Sequence, residues 1–503
     1  SNIGKMNRDT THFVAGLRGD MPFETWTFDV TSTWSEHKFD GFAARDTNDP
    51  NMRLALGGLG GRAWDPRTGT PGAAPCFFYN PFGTAYTADP TDIGPNGLYN
   101  ADEIFSDMFD PILGNAQQEI WVLDAVVTGD LFELPAGNVG VAVGYQYRDQ
   151  TFQAETSGTA ANFDFSFVVG GEPFKVTRDV TAFFAEVNLP ITGADSAIGA
   201  MELSAAVRYE DYKGQTGSTT DPKFALLWMP LNSLAVRGTY QTSFKAPGLA
   251  QFVGSRTSLN NVQSDPFDAG SARVFIPGIA TGKQNLEPEE ADVINFGFTW
   301  EPVEGILDGL SVSMDYWSFE FENAIRKESN VSVISAYVAE VNAGIVGGPA
   351  SEKLTLNPDG TIAVIRSQFI NAASVDTNGI DVSVRYNIET DDFGIFTPFW
   401  QSSHIEEYEF QESPNSPSID GLGKRNFQTI GAPAPEWRAS FGVDWLQGNH
   451  SANVTVRHTD EYEMSRSPSA IIAQLNNRRP SSDIDAHTTV DIQYSYQFQE
   501  MFG

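Results

Sequence analysis

Hydrophobic and polar residues alternate with period two along most of the chain. Met201, Leu203, Ala205, Val207 and Tyr209 alternate with Glu202, Ser204, Ala206, Arg208 and Glu210. Val139, Val141, Val143, Tyr145 and Tyr147 alternate with Gly140, Ala142, Gly144, Gln146 and Arg148. Ile294–Trp300, Ile380–Tyr386, Trp437–Trp445 and Val490–Tyr496 repeat the pattern. Successive side chains of a strand point to opposite faces, so each segment predicts a β-strand with one apolar and one polar face. In "RGTYQTSFKAPGLAQ", Tyr240 and Phe244 fall on the apolar face with Leu234 and Val236. Arg237, Gln241 and Lys245 fall on the other, and the strand breaks at Ala246-Pro247-Gly248.

Two architectures carry such strands. In a soluble sandwich the apolar face is the core. In an outer-membrane barrel the apolar face meets lipid and the polar face lines a wet lumen. Trp300, Tyr316, Trp317, Tyr386, Trp437, Trp445, Tyr494 and Tyr496 stand at strand ends, which suits the aromatic girdles of a membrane barrel. Spacing decides further. About 15 strands are predicted, joined alternately by short turns (near 19–24, 132–137, 190–197, 230–233, 302–308, 389–393 and 446–450) and long connections (36–117, 153–178, 213–221, 245–288, 326–366, 411–434 and 463–486). That sorting is the signature of an up-and-down antiparallel transmembrane β-barrel, tight turns at one end and long loops at the other. With an odd count, the first and last strands run the same way and cannot close an antiparallel barrel. Strands are therefore expected to be missing from one or both ends.

Composition narrows the function classes. The 503 residues carry a formal net charge of −34, which excludes the clustered cations of a nucleic-acid binder. Hydrophobic residues make up 41% of the chain, enough for a folded protein. No apolar run reaches the ~18 residues of a membrane helix, but barrel strands need only about 9–11. The N-terminal "SNIGKMNRDT" shows no signal-peptide pattern. Cys76 is the single cysteine and is read as a buried or loop thiol.

Six segments in order then resemble the barrel of TonB-dependent outer-membrane receptors. They are "RDVTAFFAEVNLPI" (178–191), "RYEDYKGQTGSTTDPKFALLWMP" (208–230), "RGTYQTSFKAPGLAQ" (237–251), "NLEPEEADVINFGFTWEP" (285–302), "TNGIDVSVRYNI" (377–388) and "PAPEWRASFGVDW" (433–445). Lys245 stands where the family usually has Arg. The resemblance implies a Gram-negative outer-membrane importer with a 22-stranded barrel, an N-terminal plug and energy supplied by TonB. Against that number, roughly seven strands and the plug would lie outside this chain. On the same resemblance Arg237, Ser243, Phe244, Lys245, Ala246, Pro247, Asn285, Pro288 and Glu289 serve strand register and loop anchoring. The family often carries a loop cysteine pair beside an Asn-Pro-Phe-Gly segment. Here Asn80-Pro81-Phe82-Gly83 follows Cys76, but Trp64 stands in the region of the second cysteine.

Enzyme chemistry finds no support. His12, His37, His404, His450, His458 and His487 form no HxxxH or HExxH pattern, and GxSxG is absent. "GGLGG" (57–61) reads as a loop, and "SDPFDAG" (264–270) as solvated loop with Ca²⁺ binding as the minor alternative. No cofactor or metal is expected. Trp64, Phe77, Phe78, Tyr79 and Phe82 cluster in the longest loop, either as its internal packing or as a stacking surface for cargo. The leading expectation is an active importer of a scarce nutrient such as a siderophore or oligosaccharide. Its partners would be TonB, outer-membrane lipid, the imported molecule and a possible surface lipoprotein. A passive porin-like channel and a soluble glycan-binding protein are the rivals.

Overall fold

A computed structural model describes residues 5–498 except 24, 62–68, 84–88, 90, 92–98, 163, 166–170, 214–216, 254, 264–265, 268–271, 412–416, 426–433 and 465–482. In chain order the strands are β1 (Lys5–Asp20), β2 (Thr27–Thr47), β3 (Phe109–Leu134), β4 (Gly137–Thr156), β5 (Phe174–Thr192), β6 (Ala200–Tyr212), β7 (Gly217–Leu231), β8 (Leu234–Lys245), β9 (Ser255–Gln263), β10 (Arg273–Thr281), β11 (Glu289–Trp300) and β12 (Leu310–Lys327). They continue with β13 (Leu354–Leu356), β14 (Ile362–Tyr386), β15 (Ile388–Thr390), β16 (Gly394–Gln411), β17 (Ser418–Asp420), β18 (Lys424–Arg425), β19 (Trp437–Gln447), β20 (His450–Thr459), β21 (Tyr462–Met464), β22 (Asp483–Ile484) and β23 (His487–Tyr496). Five α-helices stand between strands: α1 (Asp49–Leu56), α2 (Asp102–Met108), α3 (Gly158–Ala161), α4 (Leu249–Val253) and α5 (Asn330–Asn342).

Fifteen long strands form one continuous wall. Fourteen antiparallel pairings join them in the order β1, β2, β3, β4, β5, β6, β7, β8, β11, β12, β14, β16, β19, β20, β23. An even number of reversals leaves β1 and β23 running the same way. No pairing joins these two among the described residues, and β23 is exposed along its whole length. The architecture is that of a large antiparallel β-barrel wall, as the alternation predicts.

The register sorts side chains into two faces. Val236 pairs with Phe298, Phe298 with Met314, and Met314 with Val382, so all four share the outer face. Phe296 (58% exposed), Phe183, Phe224, Phe441 and Ile492 also lie there, large apolar side chains left open where lipid would cover them. Arg237, Asp315, Arg385 and Ser440 point to the opposite, inner face. Rings collect toward both ends of the outer face. His404 stacks on Trp437 at 4.2 Å and Trp121 meets Tyr147 edge-on at the long-loop end, whereas Trp445, His450 and Tyr496 group at the short-turn end.

The connections differ from expectation in extent. β2 runs on to Thr47 and β3 starts at Phe109, so the irregular part of the expected 36–117 loop is 48–108. Outside the lipid belt both faces are wet, so a strand there loses its alternation and reads as a loop. Strand residues Gly217–Asp221 likewise shrink the expected 213–221 loop to 213–216.

The long loops carry folded parts of their own. Asn48 caps α1 by accepting from the Asn51 amide at 3.1 Å, with Pro50 in the first turn. Ala55, Ala101, Ile104 and Met108 form a small core there with Met52, Phe77, Tyr79 and Phe109 packed against it. A second core, Ile276, Val333, Ile362 and Ile365, joins two more loops. These two loops are zipped together by a parallel pairing of β10 with β14, Gly278–Thr281 against Ile365–Gln368.

Candidate inner wall and loop-end site

The inner face is built of cross-strand ion pairs. Arg18 meets Asp29 at 2.7 Å, Arg385 meets Asp444 at 3.5 Å, and Arg457 pairs with Asp491. Arg237 on β8 forks onto Asp315 of β12: Nε donates to Oδ1 at 2.8 Å and Nη2 to Oδ2. Its other contacts are Thr299 (2.8 Å) and Ser313 (3.0 Å). The fork bridges over β11, where Gly297 lies beneath it, and so ties three strands in register.

At the loop end of the wall the charges become buried. Glu210, 3% exposed, accepts from Arg148 at 2.8 Å, from Arg208 at 2.6 Å and from the Tyr212 hydroxyl at 2.5 Å. The Arg178 guanidinium lies 5.2 Å over the Tyr212 ring and donates to Gln150 Oε1 and to the Pro247 carbonyl. Phe244 stands edge-on to Tyr212 at 5.9 Å. Phe244 therefore belongs to this inner cluster and not to the lipid-facing row in which alternation places it. β7 and β8 pair no further than Lys223 with Gln241, whereas β8 stays paired with β11 through Lys245 with Glu289, so the Phe244 ring is free to reach Tyr212 on the side that β7 leaves open.

The other motif residues gather beside it. Lys245 Nζ donates to Glu289 at 2.7 Å, and the second Glu289 oxygen accepts from the Ile325 amide at 2.7 Å. Pro247 and Pro288 are buried, Ala246 is half-buried, and Ser243 and Asn285 are exposed. Asn371 braces the strand entry by bonding both the amide and the carbonyl of Glu287. Sequence reasoning missed Arg148, Arg178 and Glu210: Arg148 and Glu210 are 62 residues apart, and Arg178 and Pro247 are 69 apart.

The loop aromatics divide. Phe77 and Tyr79 pack on the loop core, and Tyr79 meets Phe105 at 6.3 Å. Phe78 is half-buried and fills the space over Gly58, whereas Phe82 is 87% exposed. Trp64 lies outside the described residues, as does most of 264–270. Cys76 is buried and free. Among the described residues no group of three or more His, Cys, Asp and Glu could hold a metal ion.

One further feature follows β12 down the inner face. Trp317, Phe319 and Phe321 form a ladder of rings with centroids 5.7 and 6.1 Å apart. A Cβ on Gly379 would come within 2.6 Å of the Trp317 ring, so glycine makes room for the indole across the strand pair. Trp317 thus faces inward, not into the girdle where its neighbour Tyr316 sits. Below the ladder a concavity of about 480 Å³ is lined by Asp315, Asp381, Ser383, Gln401, Ser403 and Ser440.

The sequence profile described as "TonB dependent receptor-like, beta-barrel" matches residues 4–502. The chain belongs to this family. It is an outer-membrane protein of a Gram-negative bacterium, in a family of receptors and transporters rather than enzymes. Solved structures agree in fold. A mutant of the ferric enterobactin receptor PfeA of Pseudomonas aeruginosa aligns with TM-score 0.57 at 10% identity, over 99% of this chain and 55% of its own. The siderophore receptor PirA of Acinetobacter baumannii gives 0.57 at 13% identity, over 99% and 57%. Another PfeA mutant, in complex with enterobactin, gives 0.51 at 10% identity, over 99% and 64%. The chain spans little more than half the length of the first two. No curated protein matches it in sequence.

Proposed function

We propose that the chain is most of the barrel wall of a TonB-energised importer that captures a scarce nutrient at its extracellular loops. The observation that carries this reading is the pairing of a lipid-type outer face with an ion-paired inner face that rises into folded loops. Such loops exceed what a simple pore needs, and long loops with their own cores are usually functional. Similarity in fold to the ferric enterobactin receptor PfeA and the siderophore receptor PirA supports a capture role for a barrel of this kind. The two open edges, β1 and β23, run the same way, and further strands, odd in number, would close an antiparallel barrel between them. A plug inside the completed lumen would give TonB its point of attachment. Trp64, Phe77, Phe78, Tyr79 and Phe82 would then mark the loop nearest incoming cargo, with Phe82 the ring most open to it.

Uptake of a bound nutrient by cells with and without TonB tests the proposal. Uptake is expected to vanish without TonB. A protein that conducts ions after reconstitution and passes solute equally well in both strains would be a passive channel instead.

A further inference from the structure

The ring ladder of β12 has the chemistry of a ligand platform. Trp317, Phe319 and Phe321 stand at successive inward positions of the strand, Trp317 and Phe319 half-buried and Phe321 39% exposed. Their flanks are small or neutral: Ala291, Val293 and Asn295 on β11, Val375, Thr377 and Gly379 on β14. The indole N–H of Trp317, like those of Trp26, Trp300, Trp400 and Trp437, has no acceptor among the described residues, whereas those of Trp34, Trp121, Trp228 and Trp445 each donate within the wall. In the concavity below, the side chains of Asp381, Ser383, Gln401, Ser403 and Ser440 have no hydrogen-bond or ion-pair partner among the described residues. Every arginine nearby is engaged: Arg237 by Asp315, Arg385 by Asp444, Arg457 by Asp491, and Arg438 also has a partner.

We infer that this ladder and the concavity beneath it bind a neutral oligosaccharide. Rings at successive inward positions of one strand suit the apolar C–H faces of consecutive sugar rings. The free carboxylate, amide and hydroxyls of the concavity suit the hydroxyl edges, as in sites that combine aromatic walls with a few convergent polar groups. A polyanionic ferric catecholate would meet an unpaired Asp381 and no unpaired guanidinium, which argues against it. The inference rests on the import reading, because it places the ladder on the route from loops to lumen. The alternative occupant is a plug packed against the same rings.

Binding to the full-length protein in lipid nanodiscs tests this, with linear α-1,4- and β-1,4-linked glucose hexamers and ferric enterobactin as probes. One of the hexamers is expected to saturate the protein and quench Trp fluorescence. Trp317→Leu keeps the apolar bulk that a plug needs but cannot stack, and should weaken sugar binding about tenfold. Trp317→Phe should stay near wild type. Should Trp317→Leu fail to fold, Phe319→Leu makes the same comparison. Unchanged sugar affinity in the leucine variant, saturation by ferric enterobactin alone, or no saturation by any probe overturns the assignment. TonB-dependent uptake of a ferric catecholate would remove the ladder site and leave the import reading standing. Sugar binding with TonB-independent passage would do the reverse.

Discussion

Arg178 on β5 donates from Nη1 to the carbonyl of Pro247 at 2.7 Å. This bond fastens the Ala-Pro-Gly break after β8 to a strand 69 residues earlier in the chain. Pro247 is buried there, and Leu249 and Phe252 of α4 are buried behind it. The loop 246–288 therefore leaves the wall from a fixed point. Arg178→Ala removes that bond and the two bonds to Gln150, a local loss of about 2–3 kcal/mol. Hydrogen exchange should rise at residues 246–253 while the wall strands stay protected. Uniform protection in the variant would show that other contacts hold the break.

Glu210 is the carboxylate that bridges Arg148 and Arg208, and it is almost fully buried. Replacing it with Leu leaves two guanidiniums in a poorly hydrated position, and the Tyr212 hydroxyl loses its acceptor. Breaking a buried pair from one side costs about 3–5 kcal/mol. Urea unfolding of Glu210→Leu in lipid vesicles should show a loss of that size. Arg18, 82% exposed and paired with Asp29, gives the contrast: Arg18→Ala should leave the unfolding midpoint almost unchanged.

The outer face was legible in the sequence because lipid imposes period two on it. The partners across the inner face were not. Arg237 and Asp315 are 78 residues apart, and nothing local to either predicts the fork. Phe244 shows the limit of alternation: it sits in phase with Tyr240, yet its ring packs edge-on against the buried Tyr212. The ladder did leave a local signal. In "DYWSFEF" the rings of Trp317, Phe319 and Phe321 recur on the polar phase of β12, opposite Met314 and Tyr316. Loop aromatics carry no phase, so only the structure separates the packed Phe77 and Tyr79 from the open Phe82.

The two faces can be compared directly. Phe296 faces outward in mid-strand, between Gly238 of β8 and Tyr316 of β12. A charge there would sit in hydrocarbon, so Phe296→Arg should destabilise folding into lipid by about 2–4 kcal/mol. Phe244→Arg should cost less, because the side chain leaves a ring contact at the loop end and not the hydrocarbon belt. Equal losses in vesicle folding would place both side chains in lipid and contradict the packing of Phe244 against Tyr212.

The loop held by Glu340 should be sensitive to acid. Glu340 on α5 accepts from the Ala350 amide at 2.7 Å, and from the amide and hydroxyl of Ser351 at 2.9 Å each. The bond from the Ala350 amide is the largest influence on its carboxyl and holds it below the usual carboxylate range; the Ser351 bonds and nearby Lys353 act in the same direction against partial desolvation. Because the folded value is depressed, the stabilisation is complete above the ordinary glutamate range. It fades as pH falls through the folded value, where the carboxylate takes up a proton and gives up its amide donors. Amide exchange at Ala350 and Ser351, corrected for intrinsic rates, should therefore accelerate below the normal glutamate titration range and stay flat above it. Glu340→Gln should exchange fast at every pH and lose the acid step. A variant that keeps the step would assign it to another group.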